Sequence, residues 1–212
     1  QASYAGDAFE LYQKITAINP SPFQFFMETD DFAVISNSPE RLFRLERGIL
    51  ETRPMKGTMP RGKNEEEDIQ NIHKLLASEK ERAELAMIVD LERNDLGKLC
   101  EPGTVEVNED RVVEKYSHVI HTVANVRGIL AKQYDWYDAL RALHPGGSVT
   151  GAPKKRTTEI IQKLEGEPRG IYCGCAGYID LSGECDFNIM IRTLWLDKQK
   201  NGGILTFRSG GG

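Results

Sequence analysis

One lysine in this 212-residue sequence is placed where an amine could act as a nucleophile. Lys56 lies in the run ETRPMKGTMPRG, with Pro54 two residues before it and Gly57 directly after it. Proline restricts the backbone and glycine frees it, so this pair could present the amine to a substrate in one geometry. An amine attacks only when it is neutral, a form that burial or the nearby cation Arg53 could favour. The alternative is an ordinary exposed lysine in a turn.

A carboxylate on a predicted helix offers a second kind of chemistry. A helix over 79–92 would place Glu84 on one face with the apolar residues Met87, Ile88 and Leu91. A carboxylate among apolar side chains needs a cation, because an unpaired charge is costly in such surroundings. That cation could be a neighbouring arginine, or a Mg²⁺ ion, which binds oxygen ligands and keeps several waters.

A glycine-rich turn over 145–155, PGGSVTGAPKK, leads into a predicted helix. Free N–H groups and the helix dipole at such an entry favour an anion, either a carboxylate or a phosphate. The turn is not a Walker loop, because Gly151 is followed by Ala-Pro-Lys in place of Gly-Lys-Ser/Thr. A plain helix-entry turn is the other interpretation.

Two further polar residues interrupt apolar patterns in predicted strands. In DFNIMIRTLWL, alternation places Arg192 in the middle of a strand, where its guanidinium needs an acidic partner from the protein or from a substrate. In HVIHTVANV, His121 alternates with Val119 and Val123, as expected for either a structural or a functional histidine.

The pattern of apolar residues, caps and turn signals predicts the elements that carry these residues. Antiparallel hairpins over 22–53 would leave Lys56 just past a strand end. Helices and hairpins in separate blocks indicate an α+β fold. The other predicted elements are helices near 65–77, 79–92, 135–143 and 153–164, a strand through HVIHTVANVRGIL, and three strands in the last third of the chain.

Composition narrows the class of protein. A net charge of −5 without a basic stripe argues against a nucleic-acid partner, and no run approaches the roughly 20 apolar residues of a membrane span. Four sparse cysteines favour reduced thiols and a cytoplasmic protein. The start at Gln1 and the end at ILTFRSGGG lead us to expect a piece of a longer protein.

Six motifs in register carry a resemblance to a known family. They are SPERLF, TRPMKGTMPRG, AELAMIVDLERNDLG, HPGGSVTGAPKKR, GCAGYIDLSGECDFNIMIRTL and RSGGG. In this order they resemble the chorismate-utilising enzymes over nearly the whole chain from about Pro20. The resemblance implies helices layered around packed antiparallel sheets, and a chorismate-binding catalytic domain over 1–212 whose N-terminal portion and C-terminal end lie outside this sequence.

Within the family, PMKGT is similar to the lysine signature of the aminodeoxychorismate synthases, whereas anthranilate synthases carry alanine at that position. The resemblance therefore implies a transferase that aminates chorismate at C4 with ammonia, giving 4-amino-4-deoxychorismate on the route to para-aminobenzoate and folate. A glutamine amidotransferase subunit or domain would supply the ammonia. We expect the 212-residue chain alone to be weak or inactive in steady turnover.

The resemblance also implies roles for individual residues. Lys56 would attack C2 of chorismate and expel the C4 hydroxyl, and Glu40 would handle the proton at C4. His121 matches the active-site histidine, and Glu84 matches a carboxylate that binds Mg²⁺. The residues that match the lining of the substrate site are Ser148, Tyr178, Arg192, Gly210 and Gly212.

Three other functions are compatible with parts of this pattern. Anthranilate synthase component I is the alternative within the family, and Lys56 argues against it. A non-catalytic chorismate-site module would bind a partner without turnover, but the retention of Lys56, Glu84, His121 and Arg192 argues against decay. An unrelated anion-binding α+β domain leaves six motifs in register unexplained.

Overall fold

The computed structural model describes residues 1–200 and 202–210. The chain forms two compact units. The first unit comprises Gln1–Glu40, Pro168–Ala176 and Asn188–Gly212, and the second comprises Arg41–Glu167 and Gly177–Phe187. Gly212, expected above to line a substrate site, lies outside the described residues.

Twelve strands and five α-helices are formed by the described residues, with one 3-10 turn. In chain order they are β1 (Ala2–Tyr4), α1 (Ala8–Ile18), β2 (Phe23–Glu28), β3 (Phe32–Ser38), β4 (Arg41–Glu46), β5 (Ile49–Arg53), β6 (Met55–Pro60), α2 (Glu65–Ala77), α3 (Glu79–Leu96), β7 (Glu106–Lys115), β8 (Val119–Ile129), α4 (Trp136–Leu143), the 3-10 turn (Gly147–Val149), α5 (Lys154–Glu165), β9 (Cys175–Ile179), β10 (Cys185–Ile189), β11 (Thr193–Gln199) and β12 (Gly202–Phe207).

The first unit is built on a five-stranded sheet in the order β1-β12-β11-β3-β2, with every pairing antiparallel. Helix α1 covers one face of this sheet, and Ala8 packs there with Ala33, Ile35 and Leu196. Burying these apolar side chains together removes them from water and fixes the helix on the sheet.

The second unit is built on a seven-stranded sheet in the order β6-β8-β5-β4-β10-β9, and β7 also pairs with β8. The long strand β8 pairs with β5 and β6 along one edge and with β7 along the other. Helix α3 packs against β6, β7 and β8. This unit contains Gly177–Ile179 of β9 and Cys185–Phe187 of β10.

The predicted α+β fold is confirmed, and local capping explains why the helices were predictable. The Asn64 side chain accepts a hydrogen bond from the Glu67 N–H at 2.9 Å at the start of α2. Asp135 and Asp138 form a reciprocal capping box at α4. Gly166 ends α5 in the left-handed conformation, with φ of 70°.

Several elements differ from the sequence predictions. Helix α3 continues beyond residue 92 to Leu96, and the last third of the chain contains four strands in place of three. Elements α1, β1, β6 and β7 were not predicted. Lys56 does follow a strand end, since β5 ends at Arg53, but it lies inside a further strand, β6, which begins at Met55. No described helix is long and apolar enough to cross a membrane.

Candidate active site

Lys56 lies inside β6, opposite Thr122 of β8. The ladder register shifts between Lys56 and Thr58, which leaves Gly57 as an extra residue with a positive φ of 78°. Such a bulge bends a strand and changes the direction of nearby side chains. Gly57 therefore acts as the bulge residue beside the lysine, and the hydroxyl of Thr122 donates a hydrogen bond to the Lys56 carbonyl.

His121 is buried on β8, opposite Thr58 of β6 and Glu114 of β7. Its Nδ1 atom lies 3.0 Å from Thr58 Oγ1 and 3.2 Å from the Gly57 carbonyl oxygen. The Tyr116 ring meets the imidazole edge to face, with ring centroids 5.5 Å apart. Lys56 pairs with Thr122, the residue after His121, so the backbones of these two predicted catalytic residues lie close together in the ladder.

Arg53 is not free to act on Lys56 as a bare cation, contrary to the expectation from sequence. Its guanidinium contacts Glu109 Oε2 at 2.7 Å and Glu114 Oε1 at 2.6 Å. Tyr116 donates its hydroxyl proton to the second oxygen of Glu114 at 2.6 Å. Burial alone would raise the pKa of Glu114, but the hydrogen bonds from Tyr116 and Arg53 and the positive charge of Arg53 outweigh it and lower this pKa.

Glu84, the predicted Mg²⁺ ligand, is partly exposed, with 28% of its side chain accessible. It forms an ion pair with Lys80 at 3.4 Å, one helical turn earlier, where an arginine had been expected. The prediction that Met87 shares a buried face with it is wrong, because Met87 is 48% exposed. Ile88 is buried as predicted.

Glu81 is a second carboxylate on the same side of α3, three residues before Glu84. Its Oε2 atom lies 3.2 Å from the position that a Cβ on Gly57 would occupy, so it reaches the bulge beside Lys56. One or two protein carboxylates with waters suffice for Mg²⁺. Residues 1–200 and 202–210 contain no cluster of three or more acidic, histidine or cysteine ligands for a metal ion.

The glycine-rich turn packs closely on α3. A Cβ on Gly147 would lie 2.6 Å from Leu91 Cδ2, so a larger residue there would require the Leu91 side chain to move. In the adjacent position, the Ser148 hydroxyl oxygen is buried without a hydrogen-bond partner among the described residues. A buried hydroxyl with that unused capacity is suited to a polar ligand group.

Tyr178 occupies β9, the edge strand of the seven-stranded sheet, and is 65% exposed. Gly177 precedes it, where a Cβ would lie only 2.1 Å from the Asp186 carbonyl oxygen. The tyrosine is therefore held on a strand that lies tightly against β10, and its ring faces solvent in this unit.

Glu40, in the first unit, is a buried carboxylate between β3 and β4. Its carbonyl accepts a hydrogen bond from the Ile189 N–H at 3.0 Å, and its own N–H donates to Ser38 Oγ at 3.3 Å. These bonds fix the backbone of the predicted proton-handling residue.

The mid-strand placement of Arg192 is wrong. β10 ends at Ile189 and β11 begins at Thr193, and Arg192 lies between them with φ of 49°. Its side chain is exposed, and no ion pair involves it within the described part of the chain. A positively charged group in this state is available to a substrate carboxylate.

Of the two glycines expected at the substrate site, Gly210 lies within the described residues and belongs to the first unit. A Cβ there would lie 3.0 Å from the Tyr172 hydroxyl. Sequence reasoning missed Tyr172 and, in the second unit, Glu81, Glu114 and Tyr116. The spacing of Glu81 and Glu84 on one helix face was a usable signal, whereas Glu114 and Tyr116 become significant only through their pairing with β8.

Comparison with known proteins places this geometry in a family. Residues 1–212 match the family of chorismate binding enzymes. The chain is 47% identical over 204 residues to aminodeoxychorismate synthase component 1 of Bacillus subtilis (strain 168), covering 96% of the chain and 43% of that protein. It is 46% identical over 209 residues to anthranilate synthase component 1 of Saccharolobus solfataricus, covering 99% of the chain and 49% of that protein.

A solved structure supports the same assignment. Anthranilate synthase component I from Streptococcus pneumoniae TIGR4 matches with a TM-score of 0.84 and 38% identity, over 92% of this chain and 42% of that chain. The chain spans less than half the length of these relatives. It belongs to the chorismate binding enzyme family.

Proposed function

We propose that the chain contributes the chorismate-aminating site of an aminodeoxychorismate synthase. The observation that carries the proposal is Lys56, held in β6 by pairing with β8 and by the bulge at Gly57. A nucleophile fixed in a hydrogen-bonded ladder reaches its substrate in one geometry, which lowers the entropic cost of the reaction. By family resemblance, a lysine at this position favours amination at C4 over anthranilate formation.

The proposed reaction proceeds in two displacements. The neutral Lys56 amine attacks C2 of chorismate, the two ring double bonds shift to C1=C6 and C4=C5, and the C4 hydroxyl leaves as water after protonation. Ammonia then adds at C4, both double bonds shift back, and the lysine leaves C2 to give 4-amino-4-deoxychorismate. Glu40 is the proposed proton donor and acceptor at C4, and His121 is the proposed acceptor of the amine proton from Lys56.

Further substrate contacts are proposed for residues of the matching motifs. Chorismate carries two carboxylates, and the exposed guanidinium of Arg192 and the unused hydroxyl of Ser148 can bind carboxylate oxygens. We include Tyr178, Gly210 and Gly212 in the proposed lining on the basis of the motif match.

The proposed cofactor is Mg²⁺, bound by Glu84 with Glu81 nearby on α3. Two carboxylates on one helix face fit the small number of protein ligands that this ion takes. When bound, the ion would supply positive charge that holds a substrate carboxylate. The proposed source of ammonia is a glutamine amidotransferase subunit or domain.

A test of the proposal is to detect the covalent intermediate on the 212-residue chain. We expect incubation with chorismate and Mg²⁺ without ammonia to raise the intact mass by that of chorismate less one water, with the adduct mapped to Lys56. Single-site capture is readable even where steady turnover is weak. Addition of ammonium would then discharge the adduct as 4-amino-4-deoxychorismate.

Two variants make the test specific. Lys56→Ala removes the amine and would abolish the adduct, whereas Lys63→Ala changes an exposed lysine seven residues away and would leave it intact. Production of anthranilate and pyruvate would instead support the anthranilate synthase assignment, which the 46% identical relative makes the second candidate. Amination that persists in Lys56→Ala would refute the covalent mechanism.

A further inference from the structure

The environment of His121 contains a carboxylate to which no catalytic role has been given. Glu114 of β7 lies directly opposite His121 in the antiparallel ladder. Side chains of directly opposed residues lie on the same face of a sheet, with Cβ atoms roughly 5 Å apart. The electrostatic interaction with His121 also helps to lower the pKa of Glu114, after the stronger contributions of burial, Tyr116 and Arg53.

Both oxygens of Glu114 are held by other residues. Arg53 donates to Oε1 through Nε at 3.2 Å and through a terminal nitrogen at 2.6 Å, while Tyr116 donates to Oε2 at 2.6 Å. Arg53 is itself held by Glu109. A carboxylate fixed from two sides keeps its charge and its position, so its field at the neighbouring imidazole is constant.

The hydrogen bonds at Nδ1 determine which tautomer His121 adopts. A carbonyl oxygen can only accept a hydrogen bond, and the Gly57 carbonyl lies 3.2 Å from Nδ1. A proton on Nδ1 makes this contact favourable, whereas a lone pair on Nδ1 would face the lone pairs of the carbonyl. The Thr58 hydroxyl at 3.0 Å can accept from the same N–H. The neutral imidazole therefore carries its lone pair on Nε2.

The other charged groups near His121 are not paired with it across the sheet. β6 contributes Lys56, which is opposite Thr122, and α3 contributes Glu81, which reaches the Gly57 bulge. On β7, Lys115 is opposite Ile120, and it lies 3.8 Å from Asp68. Among the described elements that pack against this part of β8, Glu114 is the carboxylate directly paired with His121.

We propose that Glu114, held by Arg53 and Tyr116, is a positioning residue that orients His121 and stabilises its cationic form when Nε2 accepts a proton. This inference rests on the proposed role of His121 at the chorismate site. It also explains why His121 would be a good base: the fixed negative charge of Glu114 on the neighbouring strand favours the imidazolium form of His121 over the neutral imidazole. Tyr116 links the pair, since its hydroxyl binds Glu114 while its ring packs on His121.

The test is a titration of the four histidines of the 212-residue chain, labelled with ¹³C and ¹⁵N and followed by NMR. The His121 signals are identified by their loss in His121→Asn. We expect the neutral form of His121 to show the Nδ1–H tautomer. In Glu114→Gln, which keeps the shape and removes the charge, we expect the protonation constant of His121 to fall about tenfold, so that its titration midpoint moves about one pH unit lower.

Two further variants separate positioning from general structural support. Tyr116→Phe keeps the ring and removes the hydroxyl, so a smaller shift in the same direction is expected. Glu106→Gln is the matched control, because Glu106 is also a β7 glutamate paired with an arginine, at 2.7 Å from Arg127. Its effect on His121 should be negligible, and unchanged signals from His73, His118 and His144 in every variant show that the fold is intact.

An unchanged titration midpoint of His121 in folded Glu114→Gln would overturn the inference, as would an Nε2–H tautomer in the native chain. These outcomes do not depend on which reaction the protein performs. Failure of Lys56 to form an adduct would refute the proposed function while leaving the pairing of Glu114 and His121 in place.

Discussion

Replacement of Gly57 by alanine tests whether the bulge beside Lys56 requires glycine. Gly57 has φ of 78°, and an added Cβ would meet Thr122 Oγ1 at 2.9 Å, Leu75 Cδ1 at 3.0 Å and Glu81 Oε2 at 3.2 Å. Two separate costs follow. One is the left-handed backbone, and the other is the displacement of three neighbours that pack around the bulge.

The two costs can be estimated and measured separately. A left-handed backbone costs alanine about 1–2 kcal/mol, offset by about 0.4–1 kcal/mol because alanine makes the unfolded chain less flexible. Forcing an extra carbon into a packed site costs about 1–3 kcal/mol more. Gly103→Ala is the matched control, because Gly103 has φ of 81° and no atom within 4 Å of an added Cβ. It carries the backbone cost without the steric one.

The assay is equilibrium unfolding in urea at 25 °C for the native chain and both variants. We expect Gly57→Ala to lower the free energy of unfolding by about 1–3 kcal/mol more than Gly103→Ala does. Because the Gly57 carbonyl also contacts His121, the NMR tautomer signal of this histidine should change only in Gly57→Ala. Equal destabilisation in the two variants would refute the steric reasoning and leave only the positive φ as a requirement.

Two further predictions concern positions outside the proposed reaction. Hydrogen bonds from Arg61 and from the Gly62 N–H lower the pKa of Asp68 to about 2. The ionised Asp68 carboxylate therefore stabilises the fold fully above the ordinary carboxyl pKa of about 4, and this stabilisation is lost as pH falls toward 2. Asp68→Asn should lower stability at pH 7 and flatten acid unfolding over that window, and an unchanged acid limb would contradict this. Gly177→Ala should lower amide protection across β9 but not β8 in hydrogen exchange, since its Cβ would clash with the Asp186 backbone.

The elements that could be predicted from sequence are those with local causes. Asn64 and Asp135 begin helices through hydrogen bonds to residues two or three positions away, and Gly166 ends one by its own backbone conformation. These interactions lie within a few residues, so the sequence pattern contains them. Strand β8 was predictable for a similar reason, because its β-branched residues suit a buried strand.

Strand β7 could not be predicted in the same way. The residues on its less exposed side include Glu109 and Glu114, which are unusual on the inward side of a strand. The structure shows that Arg53 of β5 neutralises both carboxylates. A charge that is compensated from another strand appears in the sequence only as a polar interruption, so the pattern did not indicate a strand.

The placement of Arg192 failed for a different physical reason. Alternation over DFNIMIRTLWL is continuous, but the backbone turns at Arg192 and the two halves of the run join different sheets. Side-chain periodicity reports only which residues face alike within one strand. It does not show where the backbone turns, as it does at Arg192 with φ of 49°. The position of this exposed arginine between β10 and β11 was therefore visible only in the three-dimensional structure.

The setting of Lys56 shows how a strand can include both proline and glycine. Pro54 has no N–H to donate, but its carbonyl still accepts a hydrogen bond from the Ala124 N–H at 3.1 Å, so the ladder with β8 continues from β5 into β6. The register shift then falls at Gly57, one residue after the lysine. Lys56 is thus fixed by paired strand on both sides, and the precision that the proposed nucleophile needs comes from the ladder and not from a turn. For this reason a change at Gly57, which carries no reacting group, is expected to disturb both Lys56 and His121.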